Sequence, residues 1–213
     1  MTGGEYLEAV RASYDEVAAD YLELVESRFP LDLLGRALLA AFAEHVRADA
    51  LGPVADLGCG PGLVTAHLAA LGVDVFGLDL SPRMVDAARR RFPDLDFAVG
   101  SMTALDVPDG SLGAILAWFS THHMPPEMLA GVFAEFARTL APGGRLLLGT
   151  HLGTGEHTRP TRAYGGHPVS YESFLLPAEQ IVGLLEDAGF DLERRTLEQP
   201  TPREHTRILV RRR

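Results

Sequence analysis

Apolar positions in the first fifty residues repeat with helical spacing. Tyr6, Leu7, Val10, Tyr14, Val17, Ala18 and Tyr21 fall three or four residues apart and so share one face. Pro30 interrupts the pattern, and Leu33, Leu34, Ala37, Leu38, Ala41, Phe42 and Val46 predict a second amphipathic helix. After Gly52-Pro53 the texture changes to short apolar runs alternating with helical stretches. Strands are predicted at 54–57, 73–78, 95–99, 114–119 and 145–149, with helices at 62–71, 82–91 and 127–140 and a Pro142-Gly143-Gly144 turn before the fifth strand. Strands that alternate with helices pair in parallel, and right-handed crossovers put helices on both faces. The pattern predicts a doubly wound α/β sheet.

Residues 152–176 break this rhythm with four glycines, two prolines, two histidines and two tyrosines. A stretch this long without a period is expected to cover an active site. A helix over 177–189, stopped by Gly189, and two strands near 192–197 and 206–210 close the chain; the last two are expected as an antiparallel pair on the sheet edge. The whole of 1–213 reads as one domain: a helical cap (1–50), a core (51–151), a lid loop (152–176) and a closing helix with two strands (177–213).

Composition narrows the function classes. The chain has 213 residues, of which 46% are hydrophobic, enough for a sizeable core. Its 29 acidic residues outweigh 19 Lys and Arg, for a net charge of −10, which disfavours nucleic-acid binding. Arg211-Arg212-Arg213 reads as a solvated tail. A single cysteine excludes an intrachain disulfide and suits a reducing compartment. No apolar run approaches the ~20 residues of a membrane helix, and Glu5, Glu8, Asp15 and Glu16 near the start are unlike a signal peptide. A cytoplasmic protein with no membrane partner is expected.

The chemistry is concentrated where the first strand runs into Gly58-Cys59-Gly60-Pro61-Gly62. Glycines allow a tight turn and close approach of a ligand to backbone, and the helix beyond supplies free N–H groups. A dinucleotide fingerprint needs its third glycine five residues after the first, but Leu63 stands there and the glycine comes one residue early. Pro61 also removes a donor. The spacing argues against NAD. Asp79 ends the second strand, 21 residues after Gly58, where a carboxylate accepts both ribose hydroxyls of an adenosine. Its other role, capping the next helix, is already filled by Ser81 before Pro82.

The runs D-L-G-C-G-P-G (56–62), G-L-D-L-S-P-R-M (77–84) and L-A-P-G-G (140–144) resemble the class I S-adenosylmethionine-dependent methyltransferases, in the small-molecule branch related to the ubiquinone and menaquinone methyltransferases. The resemblance covers residues 50–150 closely and the flanks more loosely. It implies a Rossmann-like seven-strand sheet, ordered 3-2-1-4-5-7-6 with strand 7 antiparallel, and S-adenosylmethionine as cofactor with S-adenosylhomocysteine as product. By the same resemblance Gly58, Gly60 and Gly62 line the methionine end, Asp56 orients its amino group, Asp79 takes the ribose, and Leu80 and Met84 pack against adenine. The acidic residue usual after the third strand is replaced by Ser101, leaving the Met102 backbone for adenine. Trp118 and Phe119 are expected below the methionine arm. Tyr14 and Tyr21 resemble a Y-D-x-x-A-x-x-Y element that covers the cofactor. Cys59 is counted with the loop among the cofactor-binding residues, and reads as a small packed residue and not a nucleophile, because nothing nearby lowers its pKa.

Methyl transfer from a sulfonium needs a positioned nucleophile and, for some acceptors, a base. His122 and His123 follow the fourth strand and His151 the fifth, so these histidines are the candidate bases, with one of the adjacent pair expected to face the pocket. They could equally just shape it. Tyr164, Tyr171 and Arg159 of the lid are candidate substrate contacts, with Arg159 and Arg162 able to meet an acidic group. A metal held by His122, His151 and His157 or His167 has suitable ligands but no diagnostic spacing, and none is expected. His45, His67 and His205 read as surface or packing residues. The Asn/Asp-Pro-Pro-aromatic run of nucleic-acid amino methyltransferases is missing after the fourth strand, where Trp118-Phe119-Ser120-Thr121 stands. The expected partner is a small molecule, the expected state a monomer or homodimer. Two rival readings are a nucleotide-binding protein that does not methylate and, less favoured, an NAD-dependent oxidoreductase.

Overall fold

In the computed structural model, residues 3–28, 33–198 and 204–213 are described; the interruption expected at Pro30 lies outside them. Two long helices come first, α1 (Gly3–Arg28) and α2 (Leu33–Asp49). Then follow β1 (Val54–Leu57), α3 (Leu63–Ala70), β2 (Val75–Asp79), α4 (Pro82–Arg91), β3 (Phe97–Val99), β4 (Leu112–Trp118), α5 (Pro126–Thr139) and β5 (Leu140–His151). Four short strands occupy the expected loop: β6 (Glu156–Thr158), β7 (Arg162–Ala163), β8 (His167–Pro168) and β9 (Ser173–Leu175). The chain closes with α6 (Ala178–Asp187), β10 (Phe190–Glu198) and β11 (His205–Arg212).

The main sheet runs β3-β2-β1-β4-β5-β11-β10. Its first five strands are parallel, and β11 is antiparallel to both β5 and β10. Counted within this sheet, the order is the expected 3-2-1-4-5-7-6 with strand 7 reversed. Both faces are covered, as the alternation of side chains shows. Val54, Ala114, Leu116 and Leu147 pack on one side with Leu39 and Phe42 of α2 and Leu68 of α3. Ala55, Leu57, Ile115 and Leu148 point the other way, onto Phe133 and Phe136 of α5 and Leu185 of α6.

Two expectations are corrected. Pro142-Gly143-Gly144 is no separate turn: α5 runs directly into β5, and the irregularity falls inside the strand, where the pairing with β4 passes from Leu112–Leu140 to Ala114–Arg145 and so slips by three residues. Residues 152–176 are not irregular either. β6 pairs with β9, and β7 with β8 around Tyr164-Gly165-Gly166, all three at positive φ. Strands of two or three residues are too short to leave a period in sequence.

Candidate active site

The glycine loop closes against β2: the Gly58 and Cys59 N–H groups donate to the Leu78 carbonyl at 2.7 and 3.2 Å. Gly58 sits at φ +76°, and a Cβ there would lie 2.4 Å from that of Ser120, so the turn requires glycine twice over. Gly62, expected on the cleft wall, has a different task. At φ +81° it caps α3, and a Cβ would lie 2.7 Å from the Phe97 ring, so it lets helix and sheet approach. Cys59 joins the cluster of Val85, Ala88 and Phe97, and burial pushes its thiol pKa well up. It is packed, as its surroundings in sequence suggest.

Asp79 ties this loop to the next helix. Its Oδ2 accepts from the Gly60 N–H and its Oδ1 from the Ser81 N–H, both at 2.8 Å, while burial raises its pKa. Ser81 caps α4 as expected, accepting from the Met84 N–H at 3.1 Å. Asp79, Leu80, Met84, Ser101, Met102 and Trp118 form one wall of a cleft, with Tyr14 and Tyr21 opposite. The Ser101 hydroxyl is 2.8 Å from that of Thr103 and accepts the Thr103 N–H, closing its own turn. Asp56 lies buried behind the loop, where the Thr65 hydroxyl donates to it at 2.6 Å; burial pushes its carboxyl up to about 7.

α1 is laid over this cleft by Asp15, whose Oδ1 accepts from the Ser81 hydroxyl at 2.6 Å and the Arg83 N–H at 3.2 Å. Sequence reasoning passed over Asp15; its place directly after Tyr14 on the covering element is the signal it left. Above the cleft all five tyrosines of the chain meet in one cluster, Tyr6, Tyr14 and Tyr21 from α1 with Tyr164 and Tyr171 from the lid. Tyr14 stacks on Tyr171 at 5.7 Å, and Tyr21 meets Tyr164 edge-on at 5.1 Å. Ser13 fastens the same seam, accepting from the Ser170 and Tyr171 N–H groups at 2.9 and 3.1 Å.

The three candidate histidines converge but are not equivalent. His123 is buried. Its Nδ1 is 2.7 Å from the Glu172 carbonyl, which only accepts, so Nδ1 carries the proton. Nε2 therefore accepts, and the Tyr14 hydroxyl 2.7 Å away donates to it. Burial pulls the His123 pKa down to about 4, and burial also raises that of Tyr14. The pair is neutral and fully engaged. His122 sits on the same single turn of 3-10 helix, and its ring lies 5.0 Å from that of His151.

Beside this cleft, among the described residues, lie two further cavities, both bordered by His151. One opens behind the glycine loop between Asp56, Trp118, Phe119, His205 and Arg207. Phe119 takes φ +56°, a costly conformation for a bulky residue, and its ring stands 5.0 Å from His151 and 5.4 Å from His205. The Arg207 guanidinium lies 5.2 Å from the Trp118 ring and pairs with Glu198. His205, expected as a surface or packing residue, is thus part of the site: because β11 runs antiparallel, its first residues lie beside the C-terminal end of β5, with His205 opposite His151. The expected strand order already held that signal.

The other cavity lies under the lid, between Tyr164, Tyr171 and Arg159 on one side and His122 and His151 on the other. The Glu172 carboxylate takes Arg159 at 3.0 Å and His157 at 2.5 Å, and His167 pairs with Asp20 at 2.7 Å. The lid histidines are held away from His122 and His151. Among the described residues no group of three His, Cys, Asp or Glu side chains is placed to hold a metal, and no helix is long and apolar enough to cross a membrane.

Residues 54–144, which carry the glycine loop, Asp79 and the turn after β4, match the family model described as a methyltransferase domain. Over those residues the chain is similar to a methyltransferase domain. Two curated relatives are demethylmenaquinone methyltransferases. That of Beutenbergia cavernae is 42% identical over 105 residues, 47% of this chain and 43% of the relative. That of Renibacterium salmoninarum is 30% identical over 174 residues, 79% of this chain and 66% of the relative. The chain thus spans less than two thirds of the length of either. Among solved structures, the 1,6-didemethyltoxoflavin-N1-methyltransferase of Burkholderia thailandensis, with bound 1,6-didemethyltoxoflavin and S-adenosylhomocysteine, superposes with a TM-score of 0.75 at 19% identity, over 100% of this chain and 91% of that one. At that identity the likeness shows a shared fold.

Proposed function

We propose that this chain transfers a methyl group from S-adenosylmethionine to a small-molecule acceptor. The observation that carries the reading is the cleft between the glycine loop and α1, with Asp79 on its wall, in a chain similar over residues 54–144 to a methyltransferase domain. Its residues fit that cofactor. Asp79 keeps carboxylate lone pairs for two ribose hydroxyls, Leu80, Met84 and Met102 offer an apolar slot for adenine with Ser101 at its rim, and the Gly58 and Gly60 backbone with Asp56 suits the methionine end. Tyr14, Tyr21 and Trp118 enclose it. When bound, S-adenosylmethionine supplies a methyl group on a cationic sulfur that an in-line nucleophile displaces. The protein's part is to orient that nucleophile, exclude water and, where the acceptor needs it, accept a proton.

For the proton, His122 and His151 are the candidates. His123, with both ring nitrogens engaged, acts instead by holding Tyr14 at the cleft. The same reading has the chain as one domain with cap, core and lid, working in the cytoplasm as a monomer or homodimer on neither nucleic acid nor membrane.

Calorimetric titration tests the proposal. S-adenosylhomocysteine should bind and NAD should not. Asp79→Ala should weaken S-adenosylhomocysteine by about 2–3 kcal/mol, tens- to hundredfold, through loss of charge-assisted hydrogen bonds. Unchanged curves in the variant rule the ribose role out, and preferential NAD binding overturns the whole reading.

A further inference from the structure

We infer that the acceptor is an organic oxyanion, received under the lid by Arg159 and Arg162. This deepens the methyl-transfer reading and rests on it. The chain is strongly acidic, at −10, and each of the other two cavities has an aspartate on its wall, Asp79 in one and Asp56 in the other. The lid cavity has none: its lining holds two arginines, three histidines and the hydroxyls of Thr158, Tyr164, Tyr171 and Ser173, and no carboxylate. His123 has its one N–H engaged by the Glu172 carbonyl; the other polar side chains of the lining carry donors, and no carboxylate faces a ligand. A hollow lined by one sign of charge concentrates the opposite sign.

The placement of the cations agrees. The Arg162 Nη1 donates to the Gly166 carbonyl at 2.7 Å, which holds that guanidinium across the β7–β8 hairpin. Arg159 is paired at 3.0 Å with Glu172, whose carboxylate also takes His157 and is not part of the lining. Glu172 thus competes with any ligand for Arg159. A guanidinium fork matches a carboxylate or a phosphate group in two hydrogen bonds. His123 borders both this cavity and the cofactor cleft, so an oxyanion bound here is a neighbour of the cofactor.

The test uses the full chain saturated with S-adenosylhomocysteine and three calorimetric probes of similar shape: benzoate, phenyl phosphate and neutral benzamide. At least one anion should bind about tenfold more tightly than benzamide, and the advantage should shrink in high salt because both arginines are exposed. Benzoate above phenyl phosphate assigns a carboxylate acceptor, and the reverse order a phosphate ester. The double variant Arg159→Gln/Arg162→Gln should remove the anion advantage while S-adenosylhomocysteine affinity, which also reports folding, stays unchanged. Glu172→Gln should tighten anion binding several-fold. No anion binding, equal binding of benzamide, or an anion affinity indifferent to the double variant overturns the inference and leaves methyl transfer standing. Failure of the wild-type chain to bind S-adenosylhomocysteine overturns the reading beneath it.

Discussion

The two walls of the cleft between the glycine loop and α1 are built by different physics. The wall of β1, β2 and the glycine loop is assembled by backbone: Gly58 and Gly62 at positive φ, the Asp79 carboxylate on two N–H groups, and the Ser81 cap. The wall of α1 and the lid is held by side chains: five tyrosine rings, Ser13 on two lid N–H groups, and His123 between Tyr14 and Glu172. Backbone turns of a given shape need particular residues at fixed local spacing. A side-chain seam needs only partners that meet in space. One wall is therefore local in sequence, and the other joins residues about 150 positions apart, such as Ser13 and Ser170.

This difference sets what should break each wall. The largest effect is expected on the backbone side. Gly62→Ala adds the cost of a left-handed residue to a clash with Phe97, and should lower unfolding stability by about 3 kcal/mol in urea titration. A loss under ~1 kcal/mol shows that α3 and β3 can give way.

The pH response sharpens the comparison, because His123 on one wall and Asp56 on the other are buried groups whose effects oppose in sign. The unfolded chain protonates His123 near 6.5 while the folded one resists to about 4, so stability is lost as pH falls through that window. The folded chain holds a proton on Asp56 up to about 7 that the unfolded chain releases near 3.8, so stability is lost as pH rises through that window. Each slope is at most ~1.4 kcal/mol per pH unit, and together they flatten the wild-type profile. Relative to wild type, Asp56→Asn should gain stability from pH 4 to 7, and His123→Gln should gain it as pH falls from 6.5 to 4. Parallel thermal-melting profiles for both variants exclude this opposition.

A smaller effect belongs to the seam. Tyr14→Phe leaves the His123 Nε2 without its donor and should cost about 1–2 kcal/mol, with faster amide exchange at 170–173 of the lid than in β1. Exchange that rises equally in both places means the two walls unfold as one. Asp20→Asn, which breaks a half-exposed pair with His167, should change stability by no more than ~0.5 kcal/mol. A larger loss makes that pair an anchor of the lid.

The same division explains what was legible beforehand. The glycine loop, Asp79 and the Ser81 cap could be read because each is a short run whose residue types are demanded by backbone geometry. Gly62 was seen but misplaced, since a glycine that admits a ligand and one that admits Phe97 look alike in a string of letters. His205 was set aside as a lone histidine; only its pairing with His151 across β5 and β11 brings it to the site. The lid read as a loop because its strands span two or three residues.

By itself, then, the sequence determined the doubly wound sheet, the strand order through its family resemblance, and the glycine-loop wall of the cleft. Periodicity, φ requirements and helix caps act over a few residues, and chain order preserves them. Tertiary structure decided which of the three histidines lining the lid cavity is locked, which tyrosines close the cleft, and where the arginines stand relative to the carboxylates. Those outcomes depend on distances between elements far apart in sequence, and on which side-chain nitrogen finds which carbonyl after the elements have packed. His122 and His123 are neighbours in the chain, yet only the Glu172 carbonyl and the Tyr14 hydroxyl, brought in by the lid and α1, make them different.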